Sequence, residues 1–171
     1  MKMLLAFAFL LHVGGAKAQS DVNFSGTLVQ EPCTLSPDSS DITVDFRSVV
    51  IPYLYTNEHS PPELFRIRLT DCDTSLGARA SVQFTGTEDA DQPGLLAMGA
   101  GSLAQGVAIG IHTLKGEAVP INKPSRQFTL SDGNTTIYLA AYVQASPLAK
   151  QNKSIVAGAF NATATFEMIY D

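Results

Sequence analysis

The sequence has no tryptophan, only two cysteines and only three histidines among its 171 residues. The missing tryptophan argues against an antibody-type domain, in which a buried tryptophan packs on the disulfide between the sheets. Two cysteines without clustered histidines do not supply the four ligands of a structural zinc ion. The sequence also contains no nucleophile–base motif and no complete phosphate-binding loop. We therefore expect no enzyme, no cofactor, no metal site and no small-molecule substrate.

Basic clusters and long apolar runs are missing as well. The chain carries 11 Lys and Arg residues against 16 Asp and Glu residues, a formal net charge of −5, and its basic residues are scattered. An acidic chain of this kind argues against nucleic acid and anionic membranes as partners. No stretch reaches the ~20 apolar residues that a transmembrane helix needs.

The first 18 residues have the pattern of a secretory signal peptide. Lys2 precedes an apolar run from Met3 to Val13, and Ala16-Lys17-Ala18 fits the small-x-small cleavage pattern. We expect export, with cleavage before Gln19. Loss of the two lysines in this segment changes the net charge to −7, and the remaining 153 residues suit one domain.

The two cysteines, Cys33 and Cys72, both lie in the mature part of the chain. An even number of cysteines in an exported protein predicts one disulfide. The bridge would close a loop of about forty residues, a constraint worth ~4 kcal/mol. It would tie two neighbouring early strands together, whereas the bridge of an antibody domain clamps the two sheets.

Almost all of the mature sequence alternates apolar and polar residues between turn signals, which predicts an all-β sandwich or barrel. The last alternating run, FNATATFEMIYD, is an apolar strand at the end of the sequence, where such a strand is normally a liability. The one helical candidate, Ser102 to Gln105, is too short to count. The alternating runs are 22–29, 42–46, 65–72, 82–84, 107–111, 119–121, 128–130, 135–144 and 160–170.

The remaining polar residues suggest little chemistry. Glu88, Asp89 and Asp91 lie in the loop EDADQPG and could bind calcium, but they do not have the spacing of an EF-hand loop. His59 precedes a Ser-Pro-Pro turn, and His112 falls on the polar side of an alternating strand. We expect both histidines to be solvated surface residues.

The stretch SDVNFSGTLVQEPC resembles the amino-terminal extension of chaperone–usher pilins, especially the minor adaptor subunits of P-pilus type. In that family an apolar alternation with a central glycine leads to a cysteine. The matching residues here are Val22, Phe24, Gly26 and Leu28, followed by Pro32-Cys33. Gln30 departs from the pattern, because the family usually has an apolar residue at that inward position.

The other end of the sequence resembles the same family. Gly158 is the fourteenth residue from the end, Tyr170 is the penultimate one, and Phe166 and Met168 precede it at two-residue steps. The stretches FTGTEDADQPG and AYVQASP add further similarity, so that the resemblance covers essentially the whole mature chain.

The resemblance implies an incomplete immunoglobulin-like (pilin) β-sandwich that lacks its final strand. Residues 1–18 would be the signal peptide, 19–31 a donor-strand extension and 32–171 the pilin domain. Val22, Phe24, Gly26 and Leu28 would form the donor strand. The acceptor groove, which a chaperone also recognises, would contain Gly158, Phe166, Met168 and Tyr170.

The implied function is that of a structural subunit of an adhesive fimbria on a Gram-negative bacterium, specifically a minor adaptor. Its partners would be a periplasmic pilus chaperone, an outer-membrane usher and neighbouring pilin subunits. The protein would pass through the periplasm and end in a cell-surface fimbria.

A second interpretation stays open at this point, because the first alternating run also fits an ordinary strand that pairs within its own domain. A central glycine favours a donor strand, since it permits close approach of another backbone. The alternative is a stand-alone secreted binding module, for example a lectin-like sandwich with a complete fold. The two interpretations differ in whether the mature protein is a stable monomer without a partner.

Overall fold

Two antiparallel sheets contribute to one apolar core in the computed structural model, which describes residues 22–28 and 30–171. The predicted signal peptide lies outside the described residues. The strands are β1 (Thr34–Leu35), β2 (Glu63–Cys72), β3 (Arg79–Thr85), β4 (Val107–Thr113), β5 (Phe128–Thr129), β6 (Gly133–Ala145) and β7 (Thr165–Tyr170). The helices are α1 (Ile51–Thr56) and α2 (Pro147–Asn152), with a 3-10 turn at Pro37–Ser39.

The four-stranded sheet has the order β1-β2-β6-β4, and the three-stranded sheet has the order β5-β3-β7. The longest strand, β6, pairs with β2 on one side and with β4 on the other. In the smaller sheet, Val82 lies opposite Met168 and Phe84 lies opposite Phe166. All of these pairings are antiparallel, as in other sandwiches with one solvated face per sheet.

The core follows from the two-residue period of the strands, since alternate side chains point to the same face. Ile67 on β2, Leu139 on β6 and Val82 on β3 are fully buried. The ring of Phe65 on β2 contacts that of Phe84 on β3 edge-on, at a centroid distance of 6.1 Å, which joins the two sheets. The prediction of an all-β sandwich is therefore confirmed.

The predicted disulfide is present, and it fixes the start of the sandwich. Cys33 and Cys72 are bonded to each other, both are buried, and their Cα atoms are 4.1 Å apart. Next to the bridge the N–H of Asp73 donates to the carbonyl of Pro32 at 2.8 Å. As predicted, the bridge ties β1 to the end of β2.

The helices were not predicted, and the one helical candidate was wrong. Gln105 forms an isolated bridge with Val156 instead of a helical turn. Helix α2 begins with Pro147 after an N-cap, because the hydroxyl of Ser146 accepts from the N–H of Ala149 at 3.1 Å. A Ser-Pro pair was therefore the available signal for this helix.

Replacing both cysteines with alanine should lower the free energy of unfolding by about 4 kcal/mol, because the unfolded chain regains the freedom that loop closure removes. Denaturant titration of the variant and the parent protein measures this difference. Before reduction, the parent protein should contain no thiol that iodoacetamide alkylates. Two alkylated cysteines in native protein would contradict the bridge.

A candidate strand-acceptor groove

The last strand and the residues before it form a row of half-buried apolar side chains. From residue 160 to 168, the even-numbered side chains are half-buried and the odd-numbered ones are exposed. The half-buried row packs on the edge of the core without being enclosed by it. Its members are Phe160, Ala162, Ala164, Phe166, Met168 and Tyr170.

Strand β7 is paired along one side. It forms a six-residue ladder with β3, from Ala80 opposite Tyr170 to Thr85 opposite Thr165, and no described strand pairs with its other side. The paired residues Val82 and Met168 show the effect, because Val82 is fully buried whereas Met168 is only half-buried. The free side of β7 therefore presents both backbone groups and apolar side chains.

A second extended segment, 42–49, also packs on the edge of the core. Ile42, Val44 and Phe46 are half-buried, Thr43 and Asp45 are exposed, and the segment belongs to no strand of the described structure. The predicted alternation of residues 42–46 is thus present, but its ladder is not. The apolar sites of this segment point into the same core as those of β7.

The two half-buried rows meet at one aromatic pair. The rings of Phe46 and Phe160 lie 6.0 Å apart, centroid to centroid, at an interplanar angle of 42°. We call the apolar channel between segments 42–49 and 160–170 the acceptor groove. It is narrow at this aromatic pair, and it is shallow in side-chain bulk beside it, at Ala162 and Ala164.

A cavity of about 270 Å³ adjoins the Phe46 side of the groove. Val49, Val50 and Tyr53 supply most of its apolar lining, and Val50 and Tyr53 are both exposed. The remaining lining residues are Ser48, Ser60, Pro61 and Glu63.

The predicted donor residues lie away from the core. Val22, Phe24 and Leu28 are 71%, 92% and 101% exposed, and no atom comes within 4 Å of the place where Gly26 would carry a Cβ. Large apolar side chains this exposed are unusual in a folded protein and mark a surface that binds something.

The structure brings three of the four predicted groove residues together. Phe166, Met168 and Tyr170 lie on β7 in one row. Gly158 lies before that row, where an added Cβ would come within 2.5 Å of the Cβ of Leu103. Its role is to let the chain pass close to the Leu103 loop before it enters the groove.

Sequence reasoning missed the second wall of the groove. The alternation of residues 42–46 was visible, but nothing local indicates that this segment faces residues 160–170. A second feature was also missed, since His59 and His112 are half-buried against Tyr142, with ring centroids 4.4 Å and 5.4 Å from it. Burial, followed by the Glu58 carboxylate, raises the pKa of Tyr142.

The acidic loop has structural roles. The carboxylate of Glu88 accepts from the N–H of Gly94, and that of Asp89 accepts from the N–H of Asp91. Within the described residues, no three His, Cys, Asp or Glu side chains are placed to hold a metal ion. Neither helix described above has the length and apolar character needed to span a bilayer.

The model of one protein family, described as "Fimbrial protein", matches residues 22–171. The chain belongs to the fimbrial protein family. It is 35% identical to the fimbrial adapter PapK of Escherichia coli over 98% of this chain and 96% of that protein. It is 30% identical to the fimbria A protein of Serratia marcescens over 99% of this chain and 97% of that protein.

Solved structures agree with the family assignment. The P pilus rod subunit PapA has a TM-score of 0.70 and 25% identity, over 82% of this chain and all of that chain. A chaperone–usher pilus structure has a TM-score of 0.70 and 27% identity, over 91% of this chain and 98% of that chain. The predicted pilin-type, immunoglobulin-like fold and the role of structural pilus subunit are confirmed. Its relatives are fimbrial proteins, which implies that this chain is exported.

The groove contains one group whose ionisation reports on its surroundings. Burial, followed by the charge of the Glu31 carboxylate, raises the pKa of the Tyr170 phenol above its ordinary value. Because the folded-state pKa lies above that of the unfolded chain, the associated stability is present below a pH of ~10 and is lost as pH rises through the raised pKa.

Replacing Glu31 with glutamine should move the pKa of Tyr170 partly back toward its ordinary value, because the charge is removed while burial remains. Phenolate absorbance against pH measures this shift, and a Tyr170→Phe variant identifies the contribution of Tyr170 among the other tyrosines. An identical titration in parent and Glu31→Gln proteins would show that the Glu31 carboxylate does not act on Tyr170.

Proposed function

We propose that this chain is a pilus subunit that polymerises by donor-strand exchange. The acceptor groove receives the extension of a neighbouring subunit, and residues 22–28 enter the groove of another neighbour. The observation that carries the proposal is the pair of extended segments, 42–49 and 160–170, which hold half-buried apolar rows and meet only at Phe46 and Phe160. Strand addition to such an edge supplies backbone hydrogen bonds for affinity and side-chain pockets for selectivity.

The donor sequence fits the profile of the groove. In an antiparallel arrangement with Gly26 opposite Phe160, the residue without a side chain crosses the narrow point at the Phe46–Phe160 pair. Phe24 then lies opposite Ala162, and Val22 lies two residues further along β7, where the groove residues are also small. A side chain at position 26 would collide with the aromatic pair, which explains the need for glycine.

In the same register Leu28 lies beyond the aromatic pair, on the side of the cavity lined by Val49 and Tyr53. Each large donor side chain that leaves water contributes about 1.5–3 kcal/mol before the cost of ordering the strand. Three such side chains, together with the ladder on the free side of β7, are enough for stable assembly.

The partners follow from the same exposed surface. A free strand edge with a long apolar groove promotes aggregation, so a periplasmic chaperone has to cover it before assembly. We propose that an outer-membrane usher then replaces the chaperone with the next subunit. The near full-length similarity to a fimbrial adapter supports the role of minor adaptor, with one pilin neighbour on each side.

A body that lacks residues 19–30 should aggregate when no partner is present, and a peptide of residues 19–31 should rescue it and raise its melting temperature. The Gly26→Leu peptide should fail, because its side chain meets the Phe46–Phe160 pair. A Ser25→Leu peptide is the matched control, since it adds the same bulk to the outward face and should still rescue.

Light scattering and thermal melts with each peptide measure these effects. A truncated body that unfolds reversibly alone, and melts at the same temperature with and without the peptide, would contradict the proposal. That outcome would favour the stand-alone binding module.

Filling the groove from the other side should have the same effect. Replacing Ala164 with phenylalanine places a ring where the donor side chain has to lie, so the affinity for the peptide should fall at least tenfold, or ~1.4 kcal/mol. Thr163→Phe is the control, because Thr163 is exposed and faces outward. Equal affinities of the two variants in calorimetric titration would show that Ala164 does not line the groove.

A further inference from the structure

We infer that the mature chain also fills its own acceptor groove, with its extension running parallel to β7, before a partner is available. This inference rests on the proposed donor and acceptor roles. It concerns a different pairing, within one molecule and in the opposite direction.

The extension leaves the body beside the end of the groove. The Cγ of Pro32 and the carbonyl oxygen of Asp171 lie 2.9 Å and 3.0 Å from one point, the place where Gly77 would carry a Cβ. Glu31 is close enough to affect Tyr170 electrostatically. The extension is thus attached at the groove and does not have to cross the body to reach it.

This attachment fixes the direction of insertion. From Pro32, beside Asp171, the extension has to run back along β7 toward Phe160. Residues of lower number then lie beside β7 residues of lower number, so the two segments are parallel. A donor from a neighbouring subunit has no such tether and can enter in the antiparallel direction.

The attachment also fixes the register. With Pro32 beside Asp171, the pairing that turns the apolar face of the extension inward places each residue beside the one numbered 140 higher. A slip of one residue would turn that face to solvent. In this register Phe24 lies beside Ala164, and Gly26 lies beside Phe166.

The side-chain volumes match this register. Phe166 is large and already packs on Phe84, at a centroid distance of 6.0 Å, so the residue beside it has to be small. Gly26 meets that requirement. The bulky Phe24 falls beside Ala164, where the groove has room.

The register also gives a reason for the polar residue at position 30. Gln30 lies beside Tyr170 at the rim of the groove, where its amide meets a phenol hydroxyl that is only partly buried. An apolar side chain would have no pocket to fill at this rim.

The extension has the length to reach. From Val22 to Glu31 a fully extended chain spans about 33 Å, at ~3.3 Å per residue, and the corresponding residues of the groove wall cover the same distance. Tethering gives the extension a high effective concentration at its own groove. Parallel pairing is slightly less stable per residue than antiparallel pairing, so a neighbour's donor can replace it.

Two pairs of cysteines in the full mature chain distinguish the two directions. Ser25→Cys with Thr165→Cys lies side by side only in the parallel, intramolecular arrangement. Ser25→Cys with Asn161→Cys lies side by side only in the antiparallel arrangement between copies. All three residues are exposed and face outward, so the substitutions leave the groove unchanged.

Without a partner, the first pair should form a disulfide within the monomer, at a rate independent of protein concentration. The second pair should form linked oligomers, at a rate that rises with concentration. Ser25→Cys with Glu167→Cys is the register control, because Glu167 lies one inward-facing step away, and it should link at least tenfold more slowly than the first pair. Peptide mapping confirms that Cys33 and Cys72 remain bonded to each other.

Failure of the first pair to link within the monomer overturns the inference. If the second pair still links copies, or the peptide still rescues the truncated body, the proposed strand exchange stands and only self-insertion is wrong. Equal rates for the Thr165 and Glu167 pairs would overturn the stated register.

Discussion

The ladder between β3 and β7 is the interaction on which the rest of this structure depends. It positions six residues of β7 against the core, and it leaves the other side of the strand without a described neighbour. Met168 is therefore less buried than its direct partner Val82. The unpaired segment 42–49 and the exposed apolar residues 22–28 are the counterparts of the same one-sided pairing.

Three phenylalanine rings connect the groove to both sheets. Phe166 in the groove packs on Phe84 of β3, and Phe84 packs on Phe65 of β2, with centroid distances of 6.0 Å and 6.1 Å. A strand that covers Phe166 therefore also restricts the contact between the sheets. Strand insertion and consolidation of the core are, for this reason, parts of one process.

Local patterns in the sequence predicted the features that depend on neighbouring residues. The two-residue period predicted the half-buried row of 160–170, and the cysteine count predicted the bridge. The contact between Phe46 and Phe160 was not predictable, because it joins segments more than a hundred residues apart. The same holds for His59 and His112, whose packing on one tyrosine depends on the topology of the sheets.

The position of the disulfide has a mechanical consequence. In a fibre, tension along the extension enters each subunit at Pro32, directly before Cys33. Strand β1, which follows, has only two residues and would peel away under load. The covalent bridge instead passes the force to Cys72 at the end of β2, a ten-residue strand in a long ladder with β6. The load is then shared by hydrogen bonds that have to break together.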